Sequence, residues 1–338
     1  MNKFNRKRYP FSNEIKQAIK RECSLDNWHA PLAILGIYFR IVLSIAFPYV
    51  LSNLLSSESN LYVDYVWWFA YALSVVCIGF WQRALARVVH ESAHKVLTKS
   101  PFFGKFLGTF ASGYLILQGW YSYFNTHIKG HHLYLGDDKY DPDLAYHQSL
   151  GLYDEAQSQA AFVWKNLIAP LLFFRTPSKI ADLLINRLLA ANEPVIEKIS
   201  KFVFIGGIAC FSIALDIANE FLLFWIAPLV FAFPVVNWYI ELFEHFPLVK
   251  DSDVDLYMTR NRWTGMVGKI LTGTFNENFH QVHHLFPAVP FWKLGVVHKI
   301  LMQDESYAAT QSREVGLVFP VIYGIPSIVG GLVRRGKS

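Results

Sequence analysis

The chain has 338 residues, 53% of them apolar and only 17% charged, with a formal net charge of +5. That balance excludes an ordinary soluble domain and points to a membrane protein. The basic excess before residue 30 (Lys3, Arg6, Lys7, Arg8, Lys16, Lys20 and Arg21) reads as a solvated tail lying against anionic lipid. No nucleic-acid-binding motif accompanies it.

In chain order, four apolar runs are candidates to cross a bilayer: Ala30 to Leu55, Val63 to Trp81, Phe202 to Leu215 and Phe221 to Ile240. A helix rises ~1.5 Å per residue and the hydrocarbon layer is ~30 Å thick, so ~20 residues are needed, and the third run is short. No cleavable signal peptide is apparent, because the first run is long enough to act as an anchor. The links Ser56 to Asp64 and Asp216 to Glu220 carry acids and no Lys or Arg. The amino-terminal tail and the segment Arg83 to Lys201 hold most of the basic residues. The positive-inside rule then places both termini and this central segment in the cytoplasm. Three further apolar stretches, Phe106–Trp120, Ala160–Phe174 and Val315–Val333, are expected to be interfacial or re-entrant. The last holds four Gly and two Pro, and crossing would export Arg334, Arg335 and Lys337. No internal repeat or linker divides the chain. The expectation is one all-α domain, residues 1–338 with its core at about 30–305, having about four transmembrane helices and a cytoplasmic cap.

Eight of the twelve histidines fall in three tight groups: His90-Glu-Ser-Ala-His94, His127-Ile-Lys-Gly-His131-His132 and His280-Gln-Val-His283-His284. Residues three or four apart share a helix face, so His90 and His94 can reach one site. On an α-helix the doubled histidines fan by ~100°, so each pair can serve two sites. Imidazole suits iron, zinc and copper, and eight nitrogen donors are too many for one ion but fit two. Every group lies on the side assigned to the cytoplasm. The three separated cysteines, Cys23, Cys77 and Cys210, offer neither a disulfide framework nor an iron–sulfur pattern.

The order HxxxH, HxxxHH, HxxHH resembles the membrane fatty acid desaturase and hydroxylase superfamily over roughly residues 30–305. So do His131-His-Leu-Tyr-Leu-Gly with Asp141-Pro-Asp143, Asn276-Glu-Asn-Phe-His280 onward to Leu-Phe-Pro, and Pro290-Phe-Trp-Lys-Leu. The resemblance implies two irons in a cytoplasmic site, O2 as cosubstrate, and an apolar channel for an acyl lipid or acyl thioester. Glu244-His245 matches a family position that supplies a ninth histidine. The implied ligand set is therefore His90, His94, His127, His131, His132, His245, His280, His283 and His284, with no catalytic residue beyond these ligands. No flavin or dinucleotide fingerprint is visible, so electrons must come from a separate donor of the ferredoxin, rubredoxin or cytochrome b5 type. Desaturation is the leading reading. Hydroxylation follows it, because the second group has three residues between its first two histidines where many desaturases have two, a spacing similar to that of alkane hydroxylases.

Asp141 and Asp143 are candidates to orient ligand imidazoles, or else form a turn around Pro142. Asn276 is a further candidate for that surrounding layer. Glu241 stands where the family often has Asn, and is either a carboxylate near the metals or a solvated charge at the membrane surface. Arg83 and Arg87 are expected to snorkel at the interface or to meet an anionic headgroup. His29, His147 and His298 stand alone and read as surface or supporting residues. Three alternatives compete. Glu91 in His90-Glu-Ser-Ala-His94 is also the base position of a zinc protease, a reading that leaves the other two groups idle. The pairs Glu91/His94 and Glu277/His280 have the spacing of a di-iron carboxylate bundle. A metal carrier would place its ligands within the spans rather than at their ends.

Overall fold

The computed structural model describes residues 6–55, 60–154, 156–263, 265–312 and 327–335. The described residues are helical throughout, with one isolated bridge between Lys7 and Val254. Among them three segments are long and apolar enough to cross a membrane: His29–Leu54, Val63–Ala93 and Ala218–Asp251. The fourth expected run, Phe202 to Leu215, is part of a helix Val195–Ala214 whose first two turns carry Glu197, Lys198 and Lys201, so its apolar stretch is shorter than those three.

A short amphipathic helix α1 (Asn13–Arg21), capped by Ser12, buries Ile15 and Ile19. It precedes α2 (His29–Leu54) and α3 (Asn60–Ala93). These two pack side by side, and Trp81 of α3 donates its indole N–H to Ser44 of α2 at 3.2 Å. The far side of α2 exposes Leu35, Phe39, Val42, Phe47 and Val50, an apolar face suited to lipid. With 34 residues, α3 is ~50 Å long, well beyond a ~30 Å hydrocarbon layer. Its last turns therefore project past the apolar region, and these carry Arg83, Arg87 and His90.

The stretch Phe106–Trp120 is not one helix. Ser100 caps α4 (Pro101–Gly108), a π turn spans Thr109–Gly113, and Leu117, at φ 62°, reverses the chain. Helix α5 (Trp120–Tyr123) then runs into a π-helix, Phe124–His132. Glu197 accepts from the Trp120 amide at 2.8 Å and caps this helix start. Helices α6 (Pro142–Ser149), α7 (Gln159–Val163) and α8 (Thr176–Asp182) follow, so Ala160–Phe174 is also broken. After α9 (Val195–Ala214), α10 (Ala218–Phe221) passes through a π turn, Leu222–Ile226, into α11 (Ala227–His245).

Helix α11 crosses α3 closely at Gly79, where a Cβ would sit 2.5 Å from that of Ala232. Any larger residue there would push the two helix ends, and the side chains they carry, apart. The rest comprises α12 (Leu248–Asp251), α13 (Met266–Thr272), α14 (His280–Leu285), α15 (Leu294–Leu301), α16 (Glu305–Thr310) and α17 (Ile328–Arg335). Of the stretch Val315–Val333, residues 315–326 lie outside the described residues, as do Ser56 to Ser59 and Lys337. The remainder belongs to α17, which buries Ile328 and Leu332 beside α7.

Candidate metal centre

Four helix ends deliver nine imidazoles to one place. His90 and His94 come from the end of α3, and His127, His131 and His132 from the π-helix. His245 closes α11, and His280, His283 and His284 lie on α14. They divide into two adjoining groups. His90, His94, His127, His132 and His283 have ligating nitrogens mutually within 4.8 Å. His131, His245 and His284 form a second group, and His245 also groups with His280 and Glu244.

Local winding explains the second box. On an α-helix, His132 would lie ~140° round from His127. The i→i+5 bonding of the π-helix turns only ~80° per residue and brings the two to within ~40°. Their Nε2 atoms are accordingly 3.1 Å apart. At the third box, Phe275 and Asn276 adopt left-handed φ of 60° and 51°, a conformation Asn tolerates better than most residues. The Asn276 side chain donates to the Phe291 carbonyl at 2.9 Å. It braces the kink that precedes α14, and among the described residues no hydrogen bond joins it to any of the nine histidines.

The donor set fits metal ions. His132 Nε2 lies 3.2 Å from Nε2 of His94 and 3.2 Å from Nε2 of His283, and His245 Nε2 lies 2.9 Å from that of His280. Neutral imidazoles cannot all donate to one another at such junctions. Nitrogens ~2.1 Å from a shared ion would be spaced about 3 Å apart along a coordination edge. Buried nitrogens of His90, His131 and His284 have no hydrogen-bond partner at all. Burial pulls His94, His127, His132, His280, His283 and His284 well below the ordinary histidine range, into the neutral form that binds metal.

Carboxylates hold the rings from behind. Asp141 accepts from His131 Nδ1 at 3.0 Å while capping α6. Burial opposes charge on His131, but Asp141 and Asp143 outweigh it and raise the ring to about 9. Burial alone would raise Asp141; His131 and the Gly136 and Leu144 amides bring it down to about 2. Asp143 stands 3.4 Å from the same His131 nitrogen and 3.8 Å from His127 Nδ1. Glu91 accepts from His90 Nδ1 at 2.9 Å, and Glu244 lies 3.2 Å from His280 Nδ1.

Behind these lies an ionic network that the sequence did not signal. Arg87 donates to Glu91 at 2.8 Å and Arg262 to Glu244 at 2.8 Å, while Glu277 lies 2.5 Å from Arg83 and 3.7 Å from both Arg87 and Arg262. Three arginines balance three glutamates. Arg83 and Arg87 therefore do not snorkel; they face inward and fix the carboxylates that aim His90 and His280. The one available hint was His–Glu adjacency at 90/91 and 244/245.

Glu241 stands close to the histidines, as one of its two expected places would have it, without joining them. It accepts from Asn237 at 2.6 Å and lies 3.5 Å from His147, lining a cavity of about 540 Å³ beside the histidines rather than joining either group. His147 is buried there. His29 stacks on Trp292 and bonds Asp26 at 2.6 Å, and His298 meets the Tyr307 hydroxyl at 2.8 Å, both away from the nine.

Helices long and apolar enough to cross a membrane, with ends that converge on a buried, carboxylate-braced polyhistidine cluster able to hold metal, define a membrane protein with a candidate metal centre. The comparisons narrow this. The fatty acid desaturase family model matches residues 66–313, and the chain belongs to that family. It is 33% identical over 280 residues to a dihydrorhizobitoxine desaturase of Bradyrhizobium elkanii, covering 80% of this chain and 78% of that protein. It is 29% identical over 91 residues to a chloroplastic acyl-lipid (7-3)-desaturase of Chlamydomonas reinhardtii, covering 27% of this chain and 16% of that protein. The chain is thus a desaturase-like membrane oxidoreductase.

Proposed function

We propose that the protein is an oxygen-dependent di-iron desaturase fed by a separate electron donor. The observation that carries this is the division of nine converging imidazoles into a group of five and, adjoining it, two triads that share His245 and take in the other four. In this reading His90, His94, His127, His132 and His283 hold one iron, and His131, His245, His280 and His284 the other. Two irons would supply the oxygen chemistry needed to break unactivated C–H bonds.

The reaction balances as follows. A CH2–CH2 unit loses two hydrogens and becomes CH=CH. O2 takes two electrons from the substrate and two from the donor, with two protons, and leaves as two waters. The chain's own part is positioning. Glu91, Asp141 and Glu244 fix ring orientation, and the Arg–Glu network holds those carboxylates rigid. Glu91 is turned toward Arg87 and the back of His90, which argues against a protease base. Glu277 is occupied by Arg83, which argues against a carboxylate-ligand bundle.

Both relatives are named as desaturases, which favours loss of two hydrogens over hydroxylation. Their names do not agree on substrate: one carries an acyl lipid, the other dihydrorhizobitoxine. The acyl-lipid expectation thus rests on the family and the membrane setting. We further propose a single domain in which α9 makes a fourth, short crossing, so that both termini and the histidine boxes lie on the cytoplasmic side, a topology supported by the acidic, exposed Asp216 and Glu220 in the opposite link. The test is metal analysis of the purified protein together with product analysis under oxygen-18. Two irons, and a product lacking two hydrogens without label, are expected. Stoichiometric zinc would overturn the metal assignment, and an oxygen-labelled alcohol the reaction.

A further inference from the structure

The cavity beside the histidines is unlike an acyl tunnel. It touches His90, His127, His131, His245 and His280, so whatever fills it faces both histidine groups. Apart from aromatic rings, its apolar lining residues are Pro142, Ile185, Leu189, Ala190 and Ala191. The rest of the wall is largely charged or amide-bearing. A saturated chain buried there would strip water from those groups and satisfy none of them.

Two cations in the wall stand unpaired. Lys179 on α8 is buried, 8% exposed, with its ammonium 4.1 Å above the Tyr146 ring. Arg187, on the π turn that follows, lies 5.3 Å above Phe233. Among the described residues neither has a carboxylate within ion-pair distance. Three other buried cations are matched: Arg87 by Glu91, Lys201 by Glu193, Arg262 by Glu244. The Tyr146 hydroxyl is buried without a partner as well. Glu241 lines the same cavity, bonded to Asn237 and near His147 but to no Lys or Arg within ion-pair distance among the described residues. A space of about 540 Å³ thus brings together two cations and one carboxylate that lack a partner of opposite charge within ion-pair distance.

We infer that this cavity binds a small zwitterionic substrate of the amino-acid class, its acid on Lys179 and Arg187 and its amine on Glu241, with its aliphatic part turned toward the histidines. The inference rests on the desaturase reading and narrows its substrate. It also accounts for Glu241, which binds an amine where an acyl chain would need no carboxylate. The same acid-and-amine chemistry occurs on a serine phospholipid headgroup, so both sources belong in the test.

The test is calorimetric binding to the iron-loaded, detergent-solubilised full chain. The probes are norleucine, hexanoate, hexylamine, oleate and phosphatidylserine nanodiscs. Norleucine is expected to bind at least tenfold more tightly than hexanoate or hexylamine, with an affinity that falls as salt rises. Lys179→Gln and Glu241→Gln should each weaken norleucine at least tenfold, with Lys179→Arg restoring most of the loss. If Lys179→Gln does not fold, Arg187→Gln takes its place. Oleate binding that is indifferent to these variants overturns the inference, as does binding of phosphatidylserine alone, or absence of norleucine binding at millimolar concentration. Iron content of the same sample reads the di-iron assignment independently, so the two can fail separately.

Discussion

Replacing Asp141 by Asn tests whether the carboxylates tune the metal site or merely fill space. Asp141 is 1% exposed. One oxygen accepts from His131 Nδ1 at 3.0 Å and from the Asp143 and Leu144 amides at 3.1 and 3.2 Å; the other accepts from the Gly136 amide at 3.0 Å. Asn can reproduce the first oxygen, and Asn and Asp cap helices about equally well, so α6 should keep its start. Two things are lost. The Asn amide meets the Gly136 N–H donor to donor, leaving a buried group unsatisfied at a cost of about 1–3 kcal/mol. The negative charge that raises His131 disappears, and losing such a supporting partner typically weakens metal binding ~10–100-fold. Chelator competition on the purified variant should therefore show iron affinity down by about that factor, with a modestly lowered melting temperature. Asp141→Ala should add a lost cap, about 1 kcal/mol more. Unchanged iron affinity in Asp141→Asn would refute the view that Asp141 sets the basicity of a ligating His131.

Four shorter expectations accompany this one. His283→Ala should lose metal and turnover, since its Nε2 faces the His132 junction, while the protein still inserts into membranes; full metal loading of that variant would remove His283 from the ligand set. Glu91→Gln should keep oxygen-dependent activity within about 100-fold of the parent, whereas a peptidase activity abolished by the change would revive the zinc-protease reading. Arg262→Met strands Glu244 among buried groups and should cost about 3–5 kcal/mol, read as a marked loss of thermal stability in detergent; a parental melting profile would contradict the network. In a cysteine-free background, a cysteine at Asn219 should label from outside the cell and one at Ser149 should not; labelling at Ser149 would break the proposed topology.

The convergence of the histidines was largely legible in the sequence, because a cluster written within four or five residues carries its own geometry. His245 was legible only through family resemblance, since a lone histidine at a helix end has no local pattern. The Arg–Glu network was not legible at all. Glu277 meets Arg83 and Arg262 across folds of the chain that no spacing records, and a charge near a membrane span reads first as interfacial. The third apolar run stands apart from the three long spans for a simpler reason: charges at residues 197, 198 and 201 fall inside the helix that holds it. Phe106–Trp120 was expected to be interfacial or re-entrant because a crossing there would have separated the first two boxes; that it is broken into short turns came only from the structure. The charge of the cavity escaped notice because its wall is assembled from α3, α6, α8, α11 and the turns between them.

The π winding of Phe124–His132 bears on how histidine boxes should be compared. A π turn is, in effect, one residue inserted into a helix and absorbed on the spot. In a box with two intervening residues on an α-helix, the second and third rings lie at about −60° and +40° from the first. With three intervening residues and π winding of ~80° per residue, they lie at about −40° and +40°. The extra residue thus leaves the fan of imidazoles nearly as it was. Two enzymes can differ by one position in this box and present the same ligand arrangement. The interval between the first two histidines then measures how the helix is wound, and it carries no information on whether a double bond or an alcohol is made.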